Sequence, residues 1–181
     1  TSELIALLRL IDNEIIDPKE LFGSWAGAFG NFQFMPSTIK NHAIDHNGDN
    51  KIDLLNIEDS FASAANYLNN LGWNNNIPCF YKIDLLESIP LKYLNISAKN
   101  IKNKRKVIYF KQFINNSNFL DDYNDLNAAI ITPDSDIVPD TNKYMPAYII
   151  FDNYELILKW NRSLRFALAI CTLKEKFSSD L

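Results

Sequence analysis

The sequence is poor in the residues that most often announce a chemistry. Its only cysteines, Cys79 and Cys171, lie far apart and show no C-x-x-C spacing. They therefore suggest neither a zinc site nor a thioredoxin-like redox motif, while a single disulfide between them is compatible with the sequence. Positive charge is not in excess: 18 Lys and Arg stand against 22 Asp and Glu, for a net charge of −4. Electrostatics thus give no general support to a nucleic-acid role. The one basic run, 99–111 with Lys102, Lys104, Arg105 and Lys106, reads as the solvated approach to a strand. No stretch has the roughly 18 uninterrupted apolar residues of a membrane span, which predicts a soluble chain. Thr1 opens no signal peptide, so an export signal or lipid anchor would stand upstream of it. Glycine is scarce too, at five residues, yet three of the five fall between positions 23 and 30.

What is present is a globular composition, 47% hydrophobic, 13% aromatic and 22% charged, able to offset folding entropy by burial. A length of 181 residues suits one compact domain, or one domain with a sizeable insertion. Leu4, Ile5, Leu7, Leu8, Ile11 and Ile15 recur at helical spacing, predicting a helix over 2–16 that Asp17-Pro18 stops. Pro36 suits a first helical position, so 36–43 reads as a short second helix. A third is predicted over 57–71, with Phe61, Ala64, Ala65 and Leu68 facing inward and Gly72 as its left-handed terminator. A fourth covers 163–177, with Leu164, Ala167, Leu168, Cys171 and Phe177 inward. Between 74 and 145 the pattern turns to short β-branched and aromatic runs, with strands predicted at 107–113, 128–132 and, just after, 147–151. The Asn-rich stretches 95–103 and 115–125 read as loops.

The segment most specific for chemistry runs Gly23-Ser24-Trp25-Ala26-Gly27-Ala28-Phe29-Gly30-Asn31-Phe32-Gln33-Phe34-Met35-Pro36. Glycines there allow close backbone approach and positive φ, which a substrate-lined groove needs; a plain packing turn is the alternative. The string resembles the "GS-aromatic-AGA-x-G-x-x-QFMPS" motif of lytic murein transglycosylases of the B type, whose core is lysozyme-like. Three further segments stand in the family's order. Ile44-Asp45-His46-Asn47-Gly48-Asp49-Asn50-Lys51-Ile52-Asp53-Leu54 is similar to its "VDFDGDGKRDLW" loop. Ala65-Asn66-Tyr67-Leu68 followed by Leu71-Gly72-Trp73 resembles "ANYF…HGW". Asp152-Asn153-Tyr154, then Ile157-Leu158-Lys159-Trp160-Asn161-Arg162-Ser163, then Ala167-Leu168-Ala169 resemble "YDNF…ILRWNRS…YALAV".

The resemblance implies that Ser24 and Gln33 hydrogen-bond sugar substituents, that Met35 and Tyr67 wall the cleft, and that Trp160 and Asn161 stand beside the scissile bond. Phe166 occupies a position where relatives often carry Tyr, so a hydroxyl contact is lost there. A sugar cleft wants this mixture, because sugars offer apolar ring faces and hydroxyls together. For Tyr67 and Trp160 ordinary core packing is the alternative. The family's reaction cleaves the β-1,4 bond between N-acetylmuramic acid and N-acetylglucosamine. One Glu protonates the leaving oxygen and the muramyl 6-hydroxyl closes on its own anomeric carbon, giving a 1,6-anhydro end without water. Ordinary glycosidases need a second carboxylate; here the nucleophile is intramolecular. The family carries its Glu in an "ET" motif one helix and a loop before the helix that begins at Ser2. The sequence holds no such motif, and Glu3, Glu14 and Glu20 align with the following helix and loop, so the catalytic residue is unknown and the general acid is expected upstream of Thr1. On that expectation the chain alone is inactive.

Asp45, Asn47 and Asp49, at alternate positions and followed by the Lys51 carbonyl, offer hard oxygen ligands in EF-hand fashion. Asn50 replaces the sixth-position Gly, a mild change, and Asn56 replaces the twelfth-position Glu. The resemblance supplies the missing carboxylate from Asp59. A weak structural calcium is expected, the alternative being an Asx-rich turn without metal; the chemistry itself needs no cofactor. The reading is an α+β, mainly α fold, with a lysozyme-like helical core from 1–75 and 146–181 around a small β-containing insertion, 76–145. The expected function is peptidoglycan lytic transglycosylase acting on glycan strands in the periplasm or cell envelope of a bacterium. No nucleic acid is expected as a partner, and membrane contact only through an N-terminal anchor. A non-catalytic peptidoglycan-binding protein and a hydrolytic muramidase are the alternatives.

Overall fold

The computed structural model describes residues 2–133 and 144–179. The chain divides into two compact units, Thr1–Trp73 and Asn74–Leu181.

In the first unit α1 spans Ser2–Asp12, four residues shorter than the predicted 2–16. The cause is local. Glu14 takes the left-handed conformation (φ 56°), its N–H reaches Ile11 O (2.9 Å) and the Ile15 N–H reaches Leu10 O (2.9 Å). That pair of bonds is a Schellman terminator built without glycine. Leu10 is buried, whereas Leu4, Ile5 and Leu8 stay exposed. α2 (Pro36–His42) begins with Pro36 at its first turn, and the N-cap Met35 supplies no side-chain bond. Glu3 from α1 supplies it instead, accepting the Ser37 N–H (2.9 Å) and the Ser37 hydroxyl (2.7 Å). α3 (Ile57–Leu71) has the predicted bounds, capped by Asn56 Oδ1 accepting the Glu58 N–H (2.7 Å) and ended by Gly72 at φ 99°.

The inward face of α3 is only partly the predicted one: Ala64 is buried and Leu68 half-buried. Phe61 and Ala65 are exposed, and the buried residues are Asp59, Ser60, Ser63 and Ala64. What α3 faces is backbone rather than a hydrophobic layer. Ser63 Oγ accepts the Ile44 N–H (3.0 Å), Ser60 Oγ accepts Asn31 Nδ2 (3.2 Å), and Asp59 accepts three backbone amides. Buried donors need acceptors, and small polar side chains satisfy them where a Phe could not.

The second unit is built on a sheet ordered β1-β5-β4-β2, from β1 (Phe80–Ile83), β5 (Ala147–Ile150), β4 (Asn127–Ile131) and β2 (Leu94–Asn95). β3 (Arg105–Lys106) also pairs with β4. β1 and β4 run antiparallel to β5, with Phe80 opposite Ile150 and Ile130 opposite Ile149, while β2 runs parallel to β4. The predicted strands at 128–132 and 147–151 are therefore present as β4 and β5. The strand predicted at 107–113 is not. It is a helical turn, α4 (Val107–Phe110), running into a 3-10 turn (Lys111–Phe113). Val107 and Phe110, three apart, are the buried residues of the helical turn, and Ile114 just after the 3-10 turn is buried on extended backbone. The stretch predicted as loop over 115–125 contains a 3-10 turn, Ser117–Tyr123, because Leu120 must reach the same core. In the 95–103 stretch Asn95 belongs to β2, and its side chain bonds the backbone of Tyr93, Lys102 and Ile130.

α5 (Asp152–Trp160) follows β5 directly. Asn153 at its start is buried and binds the backbone of Asn74 and Ile77 through three hydrogen bonds. α6 (Leu164–Ser179) buries Leu164, Ala167 and Cys171 as predicted, half-buries Leu168 and leaves Phe177 exposed. Cys171 is joined to Cys79 (Cα–Cα 6.0 Å), closing a separation of 92 residues. The Met145–Pro146 bond before β5 is cis. Among the described residues no helix is long and apolar enough to cross a membrane.

Candidate glycan site and its relatives

Residues 23–34 form two tight turns strung on Phe29. The Ser24 N–H bonds Ala28 O (2.8 Å), the Gly27 N–H bonds Ser24 O (2.9 Å), and Phe29 exchanges two backbone bonds with Phe34 (3.1 and 2.9 Å) around the second turn. Gly30 is required twice over. Its φ is +78°, and a Cβ there would stand 2.6 Å from the Leu54 Cβ and 3.0 Å from the Leu54 carbonyl oxygen. Asn31 holds the same place from its other side, donating its N–H to Leu54 O (2.9 Å) and its amide to Leu55 O (3.0 Å). The double turn is thereby locked to the chain before α3.

That locking decides where the predicted sugar ligands stand. Ser24 is exposed, its Oγ accepting the Ala28 N–H (3.2 Å). Gln33 is exposed at φ 51°, with Nε2 donating to Gly30 O (3.0 Å), which leaves its carbonyl oxygen outside that bond. Met35 is half-buried at the start of α2. Tyr67 of α3 is half-buried beside the Phe34 ring (centroids 6.0 Å) and the His42 ring (5.0 Å), and burial raises its pKa above the usual phenol value. Phe34 thus links Tyr67 to the turn that carries Gln33 and Met35. Trp160 and Asn161 belong to the second unit: Trp160 ends α5 half-buried, and Asn161 caps it, exposed. Phe166 is half-buried, donating its N–H to Ser163 Oγ (3.2 Å).

The 45–53 loop is folded by its own side chains. Asp45 accepts the N–H groups of Gly48 (2.7 Å) and Asn50 (2.8 Å), and Asn47 accepts that of Asp49 (2.9 Å). Asp49 accepts the Lys51 N–H (2.8 Å) and the Asn47 amide (3.3 Å). Asp59, fully buried, accepts from His46 (2.9 Å), Asn47 (3.4 Å) and Asp53 (3.0 Å). Burial alone would raise its pKa, but the amides of Asp53, His46 and Asn47, with the His46 charge, outweigh burial and hold the carboxyl below the usual Asp value. Asn50 adopts φ 67°, the conformation expected where it replaces glycine. Among the described residues no group of three or more His, Cys, Asp or Glu converges as a metal site. The donors still have the hard-oxygen chemistry a calcium ion takes, and each carboxylate oxygen that accepts one amide keeps a second lone pair.

A cavity of about 360 Å³ in this unit is bordered by Glu14, Asp17, Phe29, Asp49, Lys51 and Leu54, and by none of Ser24, Gln33, Met35 or Tyr67. The two acidic candidates that can be described are otherwise engaged: Glu3 spends both oxygens on Ser37, and Glu14 is an exposed helix terminator.

With that geometry in place, the sequence model of the Transglycosylase SLT domain family matches residues 1–175. The chain belongs to this family, and within it to the B-type lytic transglycosylases. It is 44% identical over 73 residues to membrane-bound lytic murein transglycosylase B of Escherichia coli (strain K12), an overlap of 40% of this chain and 20% of that one. Its fold is similar to SltB3 from Pseudomonas aeruginosa in complex with NAG-NAM-pentapeptide, at TM-score 0.80 and 26% identity over 98% of this chain and 46% of that one. It is also similar to the Escherichia coli lytic transglycosylase Slt35 in complex with calcium, at TM-score 0.71 and 25% identity over 96% and 51%. The chain thus spans about half or less of the relatives it matches. The mainly α fold with a smaller β part, expected from sequence, is the fold of these relatives. What the sequence did not reveal is the support of the site: Glu3 capping α2, Asn31 and Leu54 fixing the double turn, and Asp59 tying the 45–53 loop to α3.

Proposed function

We propose that this chain binds peptidoglycan glycan strands as part of a lytic transglycosylase that cleaves the β-1,4 bond between N-acetylmuramic acid and N-acetylglucosamine and leaves 1,6-anhydromuramic ends. The observation that carries the reading is the double turn: a motif of the family, locked by Gly30 against Leu54, that leaves Ser24 and Gln33 exposed on a rigid support. Preorganised polar groups beside apolar walls suit a sugar, and Met35 and Tyr67 are the walls in this reading. By resemblance Trp160 and Asn161 of the second unit are also sugar-contacting residues, with 1–75 and 146–181 assigned to a lysozyme-like core and 76–145 to an insertion. The lone general acid is a Glu in an "ET" motif, which none of the chain's own glutamates supplies. The disulfide supports an oxidising compartment, in keeping with a bacterial periplasm or cell envelope.

The experiment is product analysis on purified peptidoglycan. General acid catalysis is worth about 10²–10⁴-fold, so the chain alone releases no appreciable 1,6-anhydromuropeptides, while a protein extended through an "ET" helix does and loses the activity when that Glu becomes Gln. Equal release by both proteins would put the acid within residues 1–181 and overturn the assignment. A non-catalytic peptidoglycan-binding protein would show no release in either form, and a hydrolytic muramidase would give reducing rather than anhydro ends.

Calcium in the 45–53 loop belongs to the same reading, held by Asp45, Asn47, Asp49, the Lys51 carbonyl and Asp59. Ligand binding to the native state raises stability by mass action, so millimolar calcium raises Tm in the unaltered protein and not in Asp45→Asn/Asp49→Asn. A Tm independent of calcium leaves an Asx-rich turn without metal.

A further inference from the structure

Charge is unevenly placed along the chain. Residues 88–120 hold seven Lys and Arg and no Asp or Glu, although the net charge of the whole is −4. Two of the seven are neutralised: Lys104 pairs with Glu155 and with Asp152 (3.6 Å), and Lys111 pairs with Asp121. Lys92, Lys102 and Arg105 are exposed and, among the described residues, form no ion pair. The fold gathers these three. Lys92 Nζ stands 5.2 Å from the centre of the buried Tyr93 ring, and the Arg105 guanidinium stands 5.8 Å from the same centre. Asn103 donates its amide to Lys92 O (2.5 Å), and Asn95 Oδ1 accepts the Lys102 N–H (2.7 Å). Long cationic side chains can lay their stems on an aromatic ring while the charge stays in water. β3, which carries Arg105, pairs with Asn127 and Ala128 at the start of β4, whereas 134–143 follow the other end of that strand.

The surface is apolar as well as cationic. Tyr93 packs on Tyr109 (centroids 5.4 Å), and close to that pair in the chain Leu91 and Ile108 are 56% and 57% exposed. α4 turns Val107 and Phe110 inward, which leaves Ile108 in water. A partner that offers anions alone would satisfy the cations and leave both aliphatic side chains wet, forgoing the gain of their burial. An anionic phospholipid surface satisfies both at once, its phosphates meeting Lys and Arg and its acyl boundary receiving Leu91 and Ile108. It also asks no fixed geometry of cations carried on separate segments. We propose that the surface of Lys92, Lys102 and Arg105, flanked by Leu91 and Ile108, docks on an anionic phospholipid membrane. Attachment is by the folded surface and needs no covalent lipid, and it stands apart from the glycan reading given above.

The test is co-sedimentation of the full 181-residue chain with lipid vesicles. Mixed vesicles of phosphatidylglycerol and phosphatidylcholine capture the chain, vesicles of phosphatidylcholine alone do not, and capture fades as salt is raised. Near an anionic surface each cation is worth about fivefold in binding, so Lys92→Gln/Arg105→Gln weakens capture by roughly thirtyfold at an unchanged Tm. Leu91→Ser/Ile108→Ser also weakens it, through the lost apolar contact. Lys19→Gln/Lys40→Gln removes the same charge from exposed positions of the first unit and leaves capture unchanged. No capture by the mixed vesicles, or equal capture by both kinds of vesicle, overturns the proposal. So does a loss in Lys19→Gln/Lys40→Gln that matches the loss in Lys92→Gln/Arg105→Gln, since charge anywhere on the chain would then serve. Capture indifferent to Leu91→Ser/Ile108→Ser overturns the lipid as occupant, as does binding to soluble poly-glutamate, but not to vesicles, that depends on Lys92 and Arg105; the latter assigns the surface to an acidic polypeptide.

Discussion

The two units are stabilised in different ways. In Asn74–Leu181 a continuous apolar core, including Ile83, Tyr93, Phe110, Leu120, Ile130 and Ile149, fills the space around the sheet, and the disulfide ties α6 to the chain before β1. In Thr1–Trp73 fewer residues are buried and apolar, and the loops are fixed by side-chain hydrogen bonds, Glu3 to Ser37, Asn31 to Leu55, and Asp59 to three amides. The lesson is that the unit holding the family's most specific motif is the one organised by polar contacts. Hydrogen bonds aim backbone and side chains at defined points, whereas apolar burial is non-directional and fills volume.

The contrast can be broken at both ends. Replacing Cys79 and Cys171 by Ser releases a long loop from the unfolded-state constraint, at a cost of about 2–5 kcal/mol. Gly30→Ala forces a side chain into left-handed backbone against Leu54, at a smaller cost of roughly 1–3 kcal/mol. In denaturation followed by hydrogen exchange, the cysteine pair first loosens amides of 74–181 and Gly30→Ala those around 23–55. Both losses spread evenly over the chain would mean that the units do not differ as described.

A smaller effect sharpens the comparison. The Asp59 carboxyl is held below its ordinary value of about 3.9 in the folded protein, so the folded state favours its ionised form. Its contribution is therefore present above that unfolded-state value and lost as pH falls through the folded one. Stability of the first unit declines in this acid range, and Asp59→Asn flattens the decline. An acid limb identical in the variant would remove Asp59 as its source.

Much of this was legible in sequence, and unevenly so. α3 could be read because Asn56 caps it and Gly72 ends it, and β4 because Ala128 to Ile131 form one apolar run. The family itself was legible in the ordered motifs. α5 escaped notice because it is short, follows β5 directly and starts after Phe151, which supplies no capping side chain and so no start signal. The strand expected at 107–113 failed because its β-branched and aromatic composition is satisfied equally by a helical turn with Val107 and Phe110 on one face. Phe61 was expected inward because hydrophobicity was the only guide, and no local signal shows that α3 faces unpaired amides. At the candidate site, Ser24 and Gln33 were picked out by resemblance alone. Their supports were not, since the contacts of Glu3 with Ser37 and Asn31 with Leu55 span 34 and 24 residues and leave no periodic trace.

The central claim, that the double turn presents Gln33 to a peptidoglycan glycan, meets its most direct test in binding of a disaccharide pentapeptide by the chain and by Gln33→Ala. Losing one hydrogen bond to a sugar costs on the order of 0.5–1.5 kcal/mol, so the account predicts affinity weaker by about two- to twelvefold at an unchanged Tm. Equal affinity in the two proteins, or a Gln33→Ala protein that fails to fold, would contradict it and return residue 33 to a role in packing the turn.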